Sequence, residues 1–121
     1  MNISSLGLAH LGDAVFELLV RAWVCTHGTA RIKDLHRQTV RFVTAPAQAA
    51  LVEKILPVLT GEEEDVFRRA RNAAPHSIPK AASRAQYQAA TALEALFGWL
   101  WLQGQRERVN ELFERMMDGE V

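Results

Sequence analysis

The sequence predicts an all-α fold of about six helices. Apolar residues recur at the three- and four-residue spacing of amphipathic helices almost throughout the chain, and no segment alternates convincingly as a strand. The four prolines lie at or between the ends of these periodic segments. A length of 121 residues is typical of one domain, so residues 1–121 are expected to form a single unit without a linker or an internal repeat.

The first half of the chain contains three of the helices. Either Ser4 or Ser5 can cap the first helix, which is expected to end near residue 26, where a His-Gly pair follows. The second helix covers residues 32–43. The third begins near Pro46, because proline is favoured in the first turn, and it ends before the next proline.

The second half contains three further helices and one loop. Thr60-Gly-Glu-Glu63 is a capping-box pattern that begins a fourth helix and accounts for its acidic first turn. Two prolines predict a loop over residues 72–83. The fifth helix then covers residues 83–103, and the sixth covers residues 106–117.

Composition excludes several classes of protein. A single cysteine, Cys25, cannot form an intramolecular disulfide framework and fits a reducing compartment. The longest apolar stretch, residues 89–102, is shorter than the roughly 20 residues that cross a membrane and contains Glu94. The N-terminal residues lack the basic leader of a signal peptide. We therefore expect a cytoplasmic protein without a membrane segment.

Charge is distributed unevenly, although the net charge is zero. Between residues 66 and 93 every charged residue is basic, and acidic residues concentrate at positions 62–65 and near the C-terminus. Such separation can build a basic surface on a neutral protein, as nucleic-acid binding requires. The alternative is that these charges only solvate helix faces, and charge alone does not decide between the two.

Three acidic residues lie in unusually apolar surroundings. Residues 3–20 contain only Asp13 and Glu17 as formal charges, and residues 89–102 contain only Glu94. Burying an ionised carboxylate is costly unless it is neutralised, so acids on two apolar helices suggest a shared cation, and all-oxygen ligation favours Mg²⁺. Glu17 lies four residues before Arg21, the spacing of an ordinary ion pair. For Asp13 a structural role, as a buried acid satisfied by an arginine, remains an alternative.

Two short motifs resemble a known family. Residues 11–15, LGDAV, resemble the ribonuclease III signature, usually LEFLGDAV, and residues 92–98, ALEALFG, resemble that family's second acidic motif, D-x-x-E-A-x-x-G. Their order and separation identify the chain as a member of the ribonuclease III family. The tripeptides Asp-Leu-His at 34–36 and Arg-Asn-Ala at 71–73 support this resemblance. The chain is most similar to the short branch known as Mini-ribonuclease 3, which lacks a double-stranded RNA-binding domain.

The resemblance implies a ribonuclease III-type endonuclease that hydrolyses phosphodiesters in double-stranded RNA and matures ribosomal RNA from the 23S precursor. It implies that Asp13 and Glu94 are catalytic residues and ligands of Mg²⁺, with Mn²⁺ as a substitute, which polarises the phosphate and activates a water molecule. The family's other two carboxylates fall on Ala9 and Thr91, which leaves the number of metal ions open. Thr91 either orients a water molecule at the metal or bonds to its own helix backbone.

The resemblance also implies two partners. RNA is expected to contact Arg71, Asn72, Lys80 and His36, because duplex RNA is recognised mainly by shape, through phosphates and 2′-hydroxyls. A second copy of the chain is expected to form a symmetric homodimer. The alternative function is a non-catalytic module of the same fold that binds RNA or the ribosome, for which the neutral residues at positions 9 and 91 are the evidence.

Overall fold

The computed structural model describes residues 2–27, 31–75 and 81–120. In these ranges the chain forms six α-helices, one short 3₁₀ helix and no strand, so the predicted all-α fold is confirmed. The helices are α1 Ser5–His27, α2 Ile32–Val43, α3 Ala45–Val52, α4 Gly61–Ala73, α5 Arg84–Leu102 and α6 Arg106–Met117, and the 3₁₀ helix is Leu56–Val58.

Side-chain caps fix where several of the helices begin. The Ser4 hydroxyl accepts a hydrogen bond from the Gly7 amide at 3.0 Å at the start of α1. Thr60 forms the predicted capping box at the start of α4, and Ser83 forms another at the start of α5. One boundary differs from the prediction: α4 continues through Asn72 to Ala73, because the restriction imposed by Pro75 acts on the residue directly before it.

Helix α5 lies at the centre of the fold. It packs against α1, α3 and α4, and a smaller contact joins it to α6. Since it has neighbours on several sides, α5 is apolar around most of its circumference instead of along one stripe. Its buried residues are Ala90, Thr91, Ala92, Leu93, Ala95, Leu96, Phe97, Gly98 and Leu100.

Helices α1 and α5 cross in direct backbone contact. A Cβ atom placed on Gly12 would lie 1.5 Å from the carbonyl oxygen of Glu94, and one on Gly98 would lie 2.1 Å from the carbonyl oxygen of Leu8. Neither glycine has a positive φ, so it is the close approach of the two helices that requires them. The crossing places Asp13, the residue after Gly12, beside the side chain of Glu94.

A buried ion pair connects α4 with α6. Glu63 is 3% exposed, and its carboxylate accepts hydrogen bonds from Arg108 Nη2 at 2.8 Å and from Arg108 Nε at 2.9 Å. The Arg108 guanidinium lowers the pKa of Glu63 and also donates to the Val58 carbonyl. Glu63, in the acidic first turn of α4, is thus structural, as its capping pattern predicted.

Candidate active site

The crossing of α1 and α5 brings together the two carboxylates that carry the acidic motifs. Asp13 follows Gly12 on α1, and Glu94 on α5 supplies the carbonyl that meets Gly12. Their side chains are close enough to share a hydrogen bond and to interact through charge. Residues 81 positions apart in the sequence, Asp13 and Glu94, therefore form one acidic site.

The two carboxylates differ in burial, and the expectation that Asp13 is buried is wrong. Glu94 is mostly buried, as its apolar sequence context predicted, whereas Asp13 is exposed. Near Asp13 the buried residues of α1 are Ala9, Gly12, Val15 and Phe16, and Asp13 is not among them. The sequence around Asp13 is apolar because α1 also carries apolar residues on its outer surface.

Burial and like charge together perturb Glu94. Its pKa is raised from the ordinary 4.5 to about 8, mainly by desolvation and then by the charge of Asp13 and the hydrogen bond with it. A bond from Gln48 opposes the shift. Two carboxylates next to each other form a site that favours a cation.

Gln48 is a member of this site that the sequence motifs did not reveal. It is 2% exposed on α3, and its Nε2 donates to Oε2 of Glu94 at 3.4 Å. The signal available in the sequence was a lone polar residue within the apolar helix APAQAALV. Buried amides are costly without a partner, but the sequence alone does not show which partner it has.

The two positions where the family's carboxylates are absent lie close to the pair in sequence. Ala9 and Thr91 are both buried. The Thr91 hydroxyl donates to the carbonyl of Tyr87 at 2.9 Å within its own helix. Its oxygen lone pairs still permit it to accept a hydrogen bond, so the orientation of a water molecule by Thr91 stays a prediction.

Three of the four residues predicted to bind RNA lie in the described part of the chain. Arg71 and Asn72 are exposed in the last turn of α4, and His36 is exposed on α2. Lys80 lies outside the described residues. Glu17, by contrast, forms the predicted ion pair with Arg21 at 2.6 Å.

The donors at the site fit Mg²⁺. Among the described residues no group of three or more His, Cys, Asp and Glu side chains could enclose a metal ion. Mg²⁺ does not need such a group, because it commonly binds one or two carboxylates and takes its remaining oxygens from water and substrate phosphate. Asp13 and Glu94 are the residues that would hold it, and both burial and the neighbouring Asp13 raise the pKa of Glu94.

Comparisons with known proteins match the chain over nearly its whole length. Residues 6–105 match the model of the ribonuclease III domain. Mini-ribonuclease 3 of Symbiobacterium thermophilum is 46% identical, over 98% of this chain and 91% of that protein, and Mini-ribonuclease 3 of Synechocystis sp. is 45% identical, over 92% and 76%. The crystal structure of a Fusobacterium nucleatum protein superposes with a TM-score of 0.89 at 31% identity, covering 98% of this chain and 91% of that one.

Proposed function

Because this chain belongs to the Mini-ribonuclease 3 branch of the ribonuclease III family and is an endoribonuclease of that type, we propose that it hydrolyses double-stranded RNA with Mg²⁺ as its cofactor. Mn²⁺ is expected to substitute. The observation that carries the proposal is the pairing of Asp13 with Glu94 at the crossing of α1 and α5. We take residues 1–121 as one catalytic domain.

The side chains of the pair have complementary properties. Glu94 is mostly shielded from water, so its negative charge acts strongly on a nearby cation. Asp13 is exposed, which leaves the site open to a wide and rigid RNA duplex. When bound, Mg²⁺ supplies charge stabilisation to the phosphate and activates water for hydrolysis. Thr91, whose proton is donated to Tyr87, can contribute only as an acceptor that orients water.

RNA binding is proposed for the exposed residues Arg71, Asn72 and His36, together with Lys80. Arg68, on the same helix as Arg71, pairs with Asp65 at 2.8 Å, so not every basic residue of this region is equally available to phosphate. The contacts expected are with the RNA backbone and 2′-hydroxyls, which give shape recognition without sequence specificity.

We propose ribosomal RNA as the natural substrate, cut in a stem of the 23S precursor, and the cytoplasm as the location. Both rest on the resemblance to the Mini-ribonuclease 3 branch. A reducing cytoplasm also suits Cys25, which is an exposed free thiol. No helix in the described ranges is long and apolar enough to cross a membrane.

The test is cleavage of purified RNA by purified protein. We expect the wild-type chain with Mg²⁺ to cut a generic duplex and the stem of precursor 23S RNA, and chelation by EDTA to stop cleavage. Asp13→Asn, prepared identically, is expected to be inactive and controls for contaminating nucleases. A wild-type protein that binds these RNAs but leaves them intact with Mg²⁺ and with Mn²⁺ would instead identify a non-catalytic binding module.

We further propose that two copies pair through the outer face of α1. Leu18 is 56% exposed on this helix, and a symmetric dimer would bury it. Sedimentation equilibrium is expected to give twice the 13.5 kDa mass of the chain. Leu18→Arg should shift the protein toward the monomer, whereas Leu102→Arg, at a 45% exposed leucine of α5, should not. A monomeric wild type at micromolar concentration would contradict the dimer.

A further inference from the structure

A third helix contributes to the candidate active site through Gln48 of α3. We propose that Gln48 is a positioning residue: its side-chain amide sets the direction of the Glu94 carboxylate toward Asp13 and the cation that the pair would share. The inference rests on the proposed function of Asp13 and Glu94, and it extends that function to a residue outside both acidic motifs.

The burial of Gln48 has no structural explanation within α3 itself. The side chain is 2% exposed, and the other buried residues of α3, Leu51 and Val52, are apolar. A buried amide reduces stability unless it is hydrogen-bonded, and an apolar residue would pack at this position without that requirement. The Gln48 amide donates to Glu94, 46 residues away. The polar group is therefore directed at the site.

The backbone of α3 holds Gln48 in a defined place. Thr44 caps the helix by accepting a hydrogen bond from the Ala47 amide at 3.3 Å, and Pro46 restricts the first turn. Leu51 anchors the following turn in the core. With its backbone fixed on both sides, Gln48 presents its amide to Glu94 from one direction.

Glu94 is consequently engaged from two helices. Gln48 binds the Oε2 atom from α3, and Asp13 of α1 lies beside Glu94 and raises its pKa. A carboxylate rotates readily about its last bond, so a donor on one oxygen determines where the other points. The 3.4 Å distance is longer than that of a strong N–H···O bond. We therefore expect Gln48 to affect the orientation of the Glu94 carboxylate more than the stability of the protein.

The test compares Gln48→Met with Val52→Ala. Methionine is close to glutamine in volume but has no amide donor, so folding should be preserved. Because groups that orient metal ligands typically contribute about 10–100-fold to metal affinity or activity, Gln48→Met is expected to lower kcat on duplex RNA by about that factor, with little change in KM. Mn²⁺ alone, titrated calorimetrically into RNA-free protein, should bind the variant more weakly by a similar factor.

Val52→Ala is the matched control. Val52 lies on the same helix and is equally buried, and its truncation opens a cavity without removing a bond to Glu94. It should lose stability but keep the wild-type Mn²⁺ affinity and kcat. If Val52→Ala weakens Mn²⁺ binding as much as Gln48→Met does, or if Gln48→Met matches the wild type in both assays, the positioning role is refuted while the proposed function stands. A wild type that neither binds Mn²⁺ nor cuts duplex RNA overturns both.

Discussion

Replacing Glu94 with glutamine is expected to abolish RNA cleavage and, at the same time, to stabilise the metal-free protein above pH 8. The loss of activity should exceed about 100-fold, because even the groups that orient a metal ligand commonly contribute up to that factor. The gain in stability follows from the environment of Glu94, which is unfavourable for a carboxylate in the absence of a cation.

The sign of the pH effect follows from the raised pKa of Glu94. Between its ordinary pKa of 4.5 and its folded-state pKa of about 8, the folded protein binds this proton more tightly than the unfolded chain does. The stability that this proton contributes is fully present below pH 4.5 and is lost as the pH rises through 8. Above pH 8 the folded chain must keep a largely buried carboxylate next to Asp13. Glutamine carries no charge, so it avoids a loss on the order of 5 kcal/mol.

Urea unfolding followed by circular dichroism at pH 5 and pH 9, both in EDTA, measures this effect. The wild type should lose more stability than Glu94→Gln between the two pH values, and added Mg²⁺ should stabilise the wild type but not the variant. Glu17→Gln is the control, because its exposed pair with Arg21 is worth no more than about 1 kcal/mol and lies outside the site. Equal pH dependence in the wild type and Glu94→Gln would contradict the desolvation of Glu94 and the effect of Asp13 on it.

Most of the fold could be predicted because its helix ends depend on local chemistry. Thr60 lies within a few residues of the groups it caps, so its motif is readable in the sequence. The 3₁₀ helix Leu56–Val58 could not be predicted, since its proline reads equally well as a helix end. The end of α4 was placed too early because the turn before Pro75 can remain helical.

The two carboxylates of the candidate site could be found from the sequence, but their burial and their neighbours could not. Asp13 and Glu94 were recognisable from their motifs. The exposure of Asp13 was not predictable, because apolar residues on two faces of α1 conceal which face is buried. Gln48 was missed because its partner comes from another helix, and a single sequence contains no record of that contact.

The backbone crossing leads to the second large effect: Gly12→Ala is expected to destabilise the protein by more than about 3 kcal/mol, beyond the usual range for a single substitution. Two effects oppose each other here. Alanine is favoured over glycine in a helix by up to about 1 kcal/mol. However, the new Cβ would lie 1.5 Å from the Glu94 carbonyl oxygen, which belongs to the central helix and cannot rotate away as a side chain can. The clash therefore outweighs the helix preference, and α1 must move away from α5.

Gly61→Ala isolates the helix preference from the clash. Gly61 begins α4, has no positive φ, and has nothing within 4 Å of an added Cβ, so alanine there should leave the unfolding free energy unchanged or raise it by less than about 1 kcal/mol. Gly98→Ala, whose Cβ would lie 2.1 Å from the Leu8 carbonyl oxygen, should behave like Gly12→Ala. Urea unfolding of the three variants provides the comparison. If Gly12→Ala were as stable as Gly61→Ala, the helices would not cross in backbone contact, and Asp13 would lose the geometry that brings it to Glu94.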